Sequence, residues 1–191
     1  MGVRELKEDR CTPEAYFALL EKSEHKIEYY DGVLVEISGA KLNHNRIKED
    51  VSGLLYGQLD GCNPLGSDQA VASEAANSYF FPDLVYVCDD NEITVDDNDL
   101  VLLNPSVIIE ILSKSTETYD RGSKFHAYWR IPSLQEYILI DSRSMRVDIF
   151  RRNGQKEWTM LSFTQTGDRV PFAALGATID LEKIYRRVKF D

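Results

Sequence analysis

Between residues 49 and 113 the sequence contains no lysine or arginine, although 13 aspartates and glutamates fall there. The rest is near balance: residues 1–48 hold 8 basic and 9 acidic side chains, and residues 114–191 hold 14 and 10. The formal net charge of −10 therefore comes from one stretch. It argues against a protein that grips duplex nucleic acid over its whole surface, because neutralising phosphates takes Lys and Arg. Cysteine is scarce as well. Cys11, Cys62 and Cys88 are odd in number, far apart and without CxxC spacing. That pattern argues against a disulfide scaffold or a zinc site, and for a reducing cytoplasm.

Long apolar runs are missing too. Nothing approaches the ~18 residues of a membrane helix, so no membrane partner is expected. The charged first ten residues lack the apolar core of a secretory signal. There is no Walker loop, GxSxG, HExxH or dinucleotide GxGxxG, which removes the common nucleotide-binding, serine-hydrolase and zinc-protease readings.

What is present fits one domain over 1–191, with 1–11 as a flexible N-terminal segment; 191 residues suffice for a real core. Thr12-Pro13 starts a helix running to about Lys22, with a capping hydroxyl and Pro at the first helical position. Two strands, 26–30 and 33–37, flank Asp31-Gly32, a strong hairpin signal. Apolar residues at helical spacing predict a helix over 42–59, closed by the loop 61–66. Strands follow at 69–74, 80–88 and 107–112. Asp120 can cap a helix over 121–130, and then come a strand at 136–140, a hairpin of 145–151 with 158–163, and a short helix over 181–188. This order predicts a mixed sheet with helices on its faces, an α/β or α+β domain. The acidic stretch 89–99 reads as a solvated loop.

Two carboxylates stand out within apolar runs. Asp83 lies in Phe81-Pro82-Asp83-Leu84-Val85-Tyr86-Val87, and Glu110 in Val107-Ile108-Ile109-Glu110-Ile111-Leu112. An unpaired buried carboxylate costs several kcal/mol or more, so something must compensate both. Mg²⁺ or Mn²⁺ would, because such ions take hard oxygen ligands, commonly one or two carboxylates with water and substrate phosphate. Ile111 could add its backbone carbonyl. Lys124, on the following helix, could bring an ammonium to the attacking water or the scissile phosphate; Lys114 competes for that role. Glu28 could add a third carboxylate, and Glu36 is a weaker version of the same case. His44 at a helix start reads first as a structural or solvent-facing group. Tyr119, Tyr128 and Trp129 could stack bases, but Tyr128 and Trp129 at helical spacing fit a core or interface better. Arg121 and Arg130 read as surface residues.

With Glu28-Tyr29-Tyr30-Asp31-Gly32-Val33, the Asp83 and Glu110 segments, and Asp120-Arg121-Gly122-Ser123-Lys124 leading to Ile131-Pro132, the chain resembles the "putative restriction endonuclease" (Uma-type) family of the PD-(D/E)xK nuclease superfamily. The resemblance spans about residues 12–188. It implies a restriction-endonuclease-like core, a mixed central sheet flanked by helices. Asp83 and Glu110 would then be the first and second acids holding Mg²⁺, and Glu28 would take an early acidic position. The superfamily lysine belongs two residues after the second acid, where this chain has Leu112; Lys124 would be its relocated replacement. The implied activity is endonucleolytic hydrolysis of phosphodiesters, most naturally in DNA, with a homodimer for double-strand cutting. Two alternatives stay open: a catalytically inactive binding or interaction domain on the same fold, and a hydrolase of small phosphodiesters.

Overall fold

The computed structural model describes all residues except 1–2, 7–9, 60, 89–92, 97–99, 155–156 and 191. Two six-stranded sheets carry the α+β architecture. The first has the order β1-β3-β2-β6-β5-β8, with β1 Val3–Leu6, β2 Lys26–Tyr30, β3 Val33–Ile37, β5 Ala70–Ser73, β6 Ser78–Phe80 and β8 Val101–Leu102. The second runs β12-β11-β10-β9-β7-β4, with β4 Cys62–Leu65, β7 Leu84–Cys88, β9 Val107–Leu112, β10 Glu136–Asp141, β11 Val147–Arg152 and β12 Trp158–Phe163. Only the β9–β10 pair of this sheet is parallel, so it is mixed, as expected. A small pair, β13 Arg169–Phe172 and β14 Ala177–Asp180, stands apart.

Three helices matter most for the site. Helix α1 is Pro13–Leu20, with the Thr12 hydroxyl accepting from Ala15 N–H as the sequence suggests. Helix α2 is Leu42–Tyr56. A helical segment then passes from α3 (Glu117–Tyr119) through a π-helical stretch, Asp120–Lys124, into α4 (Phe125–Tyr128). A last short helix, α5, spans Leu181–Ile184.

The second sheet is covered on both faces, which explains why every residue of β9 but Glu110 is apolar. Alternation sends Val107, Ile109 and Ile111 toward Ile47, Val51 and Leu55 of α2. Ile108 and Leu112 face Ala127 and Tyr128 of α4, with Val71 and Phe80 of the first sheet. Each fully buried aliphatic side chain here contributes ~1.5–3 kcal/mol. Helix α1 and the hairpin β2–β3 form a separate cluster around Tyr16, Ile27, Tyr29 and Leu34. The hairpin turn has positive φ at both Asp31 and Gly32, which matches the twist of its strands.

Several expectations need correction. The apolar run 80–88 is not one strand: it breaks at Phe81-Pro82-Asp83, so β6 ends in the first sheet and β7 begins in the second. Residues 3–6, expected within a flexible segment, pair with β3. The segment 62–65, expected as loop, is strand β4. Asp120 does not cap a helix; it lies inside the π-helical stretch and is buried. Cys62 and Cys88, far apart in sequence, are directly opposite in the β4–β7 register and form a disulfide. The cysteine pattern therefore no longer argues for a reducing compartment. Most of the acidic loop at 89–99 lies outside the described residues.

Candidate active site

Five elements deliver polar side chains to one buried place. Glu28 comes from β2, His44 from the first turns of α2, Asp83 from the joint between the sheets, Glu110 from β9, and Lys124 from the π-helical stretch. None is more than 4 % exposed. The alternation of β9 sends Glu110 toward the helical segment. There its Oε1 accepts from Lys124 Nζ at 2.9 Å and from the Tyr128 hydroxyl at 3.4 Å. The same ammonium lies 2.9 Å from Glu28 Oε1 and 3.7 Å from Asp120 Oδ1. The π-helical stretch turns both Asp120 and Lys124 inward, and such stretches recur at functional sites.

Asp83 is held from two sides. Its Oδ2 accepts the backbone N–H of Ile111 at 2.8 Å and meets His44 Nε2 at 3.0 Å. The bonds to Asp83 thus converge on Oδ2, and those to Glu110 on Oε1, so each carboxylate keeps one oxygen outside these bonds. Of these five side chains, two further polar atoms are buried with no partner among the described residues, Glu28 Oε2 and His44 Nδ1. Beside the site a cleft of about 210 Å³, lined in part by Lys26, His44, Lys48, Phe81 and Asp83, gives access from solvent.

Charge here is out of balance. Glu28, Asp83, Glu110 and Asp120 are buried around a single lysine. Burial pushes the Glu110 carboxyl well above the usual range; Lys124 opposes this, while Asp120, Asp83 and Glu28 add to it. Burial likewise raises Asp120 to about 6 against the pull of Lys124. Burial alone would lower Lys124, but the Glu110 and Glu28 carboxylates outweigh it, and its pKa stands well above the usual lysine value. The ammonium stays charged, and the carboxylates still outnumber it.

The structure brings together Glu28, Asp83, Glu110 and Lys124 from the sequence expectations. Ile111 joins through its N–H, which orients Asp83. Lys114 is exposed, with no ion pair among the described residues. Glu36 lies half-buried on β3, opposite Arg4 of β1. Arg121 is committed to Glu117 and Asp148. Arg130 bonds the Ala75 carbonyl and His126. Tyr128 is core, as one of its two readings had it. His44 and Asp120 are the residues the sequence undervalued, and a signal existed for His44. It shares helical spacing with Ile47, Val51 and Leu55, so it belongs to the buried stripe of α2.

Among the described residues no group of three or more His, Cys, Asp or Glu side chains is arranged to cage a metal ion. A fully protein-ligated ion is therefore not what these donors suit. An open site is: two hard carboxylate oxygens, one just before β7 and one on the adjoining β9, fit the ligation of Mg²⁺, which keeps several waters and takes substrate phosphate. The uncompensated negative charge fits a cation as well.

Comparison with known proteins agrees with the fold. The family model of Uma2, described as "Putative restriction endonuclease", matches residues 13–182. The chain belongs to this family. Two Synechocystis sp. relatives, the uncharacterized proteins slr1290 and sll1609, are 32 % and 31 % identical to it. The matches cover 95 % and 85 % of this chain, and 94 % and 92 % of theirs. A crystal structure from Anabaena variabilis, titled as a putative nuclease belonging to DUF820, superposes with a TM-score of 0.76 at 17 % identity. It covers 92 % of this chain and 98 % of its own. At that identity the likeness establishes a shared fold. No helix among the described residues is long and apolar enough to cross a membrane.

Proposed function

We propose that the protein is a Mg²⁺-dependent endonuclease that hydrolyses phosphodiester bonds of DNA, with Mn²⁺ as a substitute ion. The observation that carries this reading is the excess of buried carboxylates around Lys124, with one oxygen of Asp83 and one of Glu110 left outside the local hydrogen bonds. Asp83 and Glu110 would hold the cation, with the Ile111 carbonyl as a further candidate ligand. Once bound, the cation supplies Lewis-acid stabilisation of charge growing on the phosphoryl oxygens.

The chain's own residues do the rest. His44 and the Ile111 N–H fix the rotamer of Asp83, so that its second oxygen points where it is needed. Lys124 fixes Glu110 and Glu28 and keeps a permanent positive charge beside the reacting phosphate. Glu28 holds the ammonium in place and accepts the Phe81 N–H at 2.9 Å, which steadies the segment that carries Asp83. A homodimer, cutting one strand per site, would account for double-strand cleavage.

The test is supercoiled plasmid with purified protein and Mg²⁺ or Mn²⁺, beside Asp83→Asn and Glu110→Gln. Nicking or linearisation by the wild type and its loss in both variants supports the proposal; equal cleavage by all three defeats it. A second reading, a metal-binding domain without turnover, is favoured by one observation: two carboxylates already hold Lys124 at 2.9 Å. It predicts Mn²⁺ binding that depends on Asp83, with no cleavage of plasmid or of small chromogenic phosphodiesters.

A further inference from the structure

On the other side of the α2 N-terminus lies a larger cleft, of about 600 Å³. Its walls come from three distant parts of the chain: the start of α2 with Lys41, Leu42 and Arg46, the turn Ser142–Arg143 after β10, and Lys189–Phe190. Asn43 Nδ2 donates to the Lys189 carbonyl at 2.8 Å and ties the last of these to the first. Among the described residues Lys41, Arg46 and Lys189 have no ion-pair partner. Neighbouring arginines are already committed: Arg143 bonds Asp141 and Glu117, and Arg186 and Arg187 both bond Asp50. In a chain with a net charge of −10, three unneutralised cations meeting in one cleft mark a place for an anion.

Two structural ties set this cleft against the candidate active site. His44, which bonds Asp83, follows Asn43 directly on α2. Ser142 bonds the Leu112 carbonyl through both its backbone N–H and its hydroxyl, two residues beyond Glu110 on β9. The first turn of α2 carries no acidic residue and no side-chain cap, so its backbone N–H groups add to the positive potential. Phe190, 41 % exposed, and Leu42, 63 % exposed, offer apolar surface among the charges. Cations that track a phosphate backbone, beside an aromatic ring on which a base can stack, are what a single polynucleotide strand requires.

We propose that this cleft binds one strand of the nucleic-acid substrate as it leaves the Asp83–Glu110 site, with phosphates against Lys41, Arg46 and Lys189 and a base on Phe190. The inference rests on the nuclease reading, naming where that site's substrate runs.

The experiment reads binding apart from cleavage. Fluorescence anisotropy of a labelled single-stranded DNA 20-mer is followed against salt, without divalent cations, on the Asp83→Asn background. Adding Lys41→Ala, Arg46→Ala and Lys189→Ala together should flatten the log–log salt slope by about 2, since each phosphate contact on a single strand contributes about 0.7. Phe190→Ala should weaken binding roughly fivefold or more, as loss of one stacked base does, and leave the slope unchanged. Arg169→Ala with Lys183→Ala, which both pair with Asp180 and do not line the cleft, should change neither. An unchanged slope in the triple variant, an equal loss in the Arg169/Lys183 pair, or no binding by the parent would each overturn the assignment. If binding follows these expectations but protein with Asp83 intact cuts nothing, the cleft stands and the nuclease reading falls. Asp83-dependent cleavage with an unaltered slope gives the reverse.

Discussion

Two kinds of buried acid occur in this protein, and they are compensated differently. Asp50, Glu136 and Asp148 are each clasped by arginine. Arg186 and Arg187 meet Asp50, Arg151 meets Glu136 at 2.6 Å, and Arg121 and Arg146 meet Asp148 at 2.7 and 3.0 Å. Among the described residues no arginine pairs with Asp83 or Glu110; a histidine holds one and a lysine shared among several carboxylates holds the other. Asp148 and Glu110 titrate in opposite senses. For Asp148, burial pushes upward, but Ser162, Arg146 and Arg121 outweigh it and the pKa falls below the usual range. For Glu110 and Asp120 burial wins. The first group is complete as it stands and serves the fold. The second is under-neutralised and suited to gain a cation.

The comparison can be broken most forcefully by neutralising one member of each group. Asp83→Asn or Glu110→Gln should cut nuclease activity by about 100-fold or more. Neither should cost much stability, because removing a charge from a crowd of like charges relieves repulsion. Asp148→Asn should do the opposite, keeping activity per folded molecule while lowering unfolding free energy by roughly 3 kcal/mol, as breaking a buried pair does. Urea denaturation beside plasmid cleavage reads both. If Asp148→Asn proved neutral and Asp83→Asn unfolded the protein, the two groups would have been wrongly divided.

A pH series sharpens the contrast. A carboxyl whose folded pKa is raised favours the folded state at low pH, and that advantage is lost as pH climbs through the folded value. Asp120, at about 6 instead of the ordinary 3.8, should make the metal-free protein less stable by up to ~3 kcal/mol as pH rises from about 4 to above 6. Asp120→Asn should remove that slope. The lowered Asp148 acts in the opposite sense, contributing stability that is lost only as pH falls through its depressed folded value. Urea midpoints from about pH 2 to about pH 8 distinguish the two behaviours.

A smaller effect is expected at His44. His44→Ala should weaken Mn²⁺ binding about 10- to 100-fold, the usual cost of losing a partner that orients a ligand. His44→Gln, which can still donate to Asp83, should recover part of it. Equal affinity in all three proteins would reduce His44 to packing.

Much of the fold was legible because local signals agreed with tertiary need. Asp31-Gly32 specified the β2–β3 turn, and the apolar residues around Glu110 announced the strand β9. The break at Phe81–Asp83 was hidden because Pro82 and Asp83 sit inside a run that otherwise reads as one strand; only pairing partners reveal two sheets. The Cys62–Cys88 bridge was invisible for the same reason, since a ladder between distant segments creates it. Of the site, the acids and Lys124 could be singled out because charges within apolar runs and a nearby lysine demand explanation. Asp120 could not, because an acid before a helical pattern resembles a cap.

The most direct measurement is calorimetric titration of Mn²⁺ at pH 6 in buffers of different ionisation enthalpy. It should show binding that releases protons, as raised carboxyls are forced to ionise, with both binding and release lost in Asp83→Asn/Glu110→Gln. Binding that is undiminished in that double variant, or absent from the wild type at millimolar ion, would contradict a cation site at these two acids.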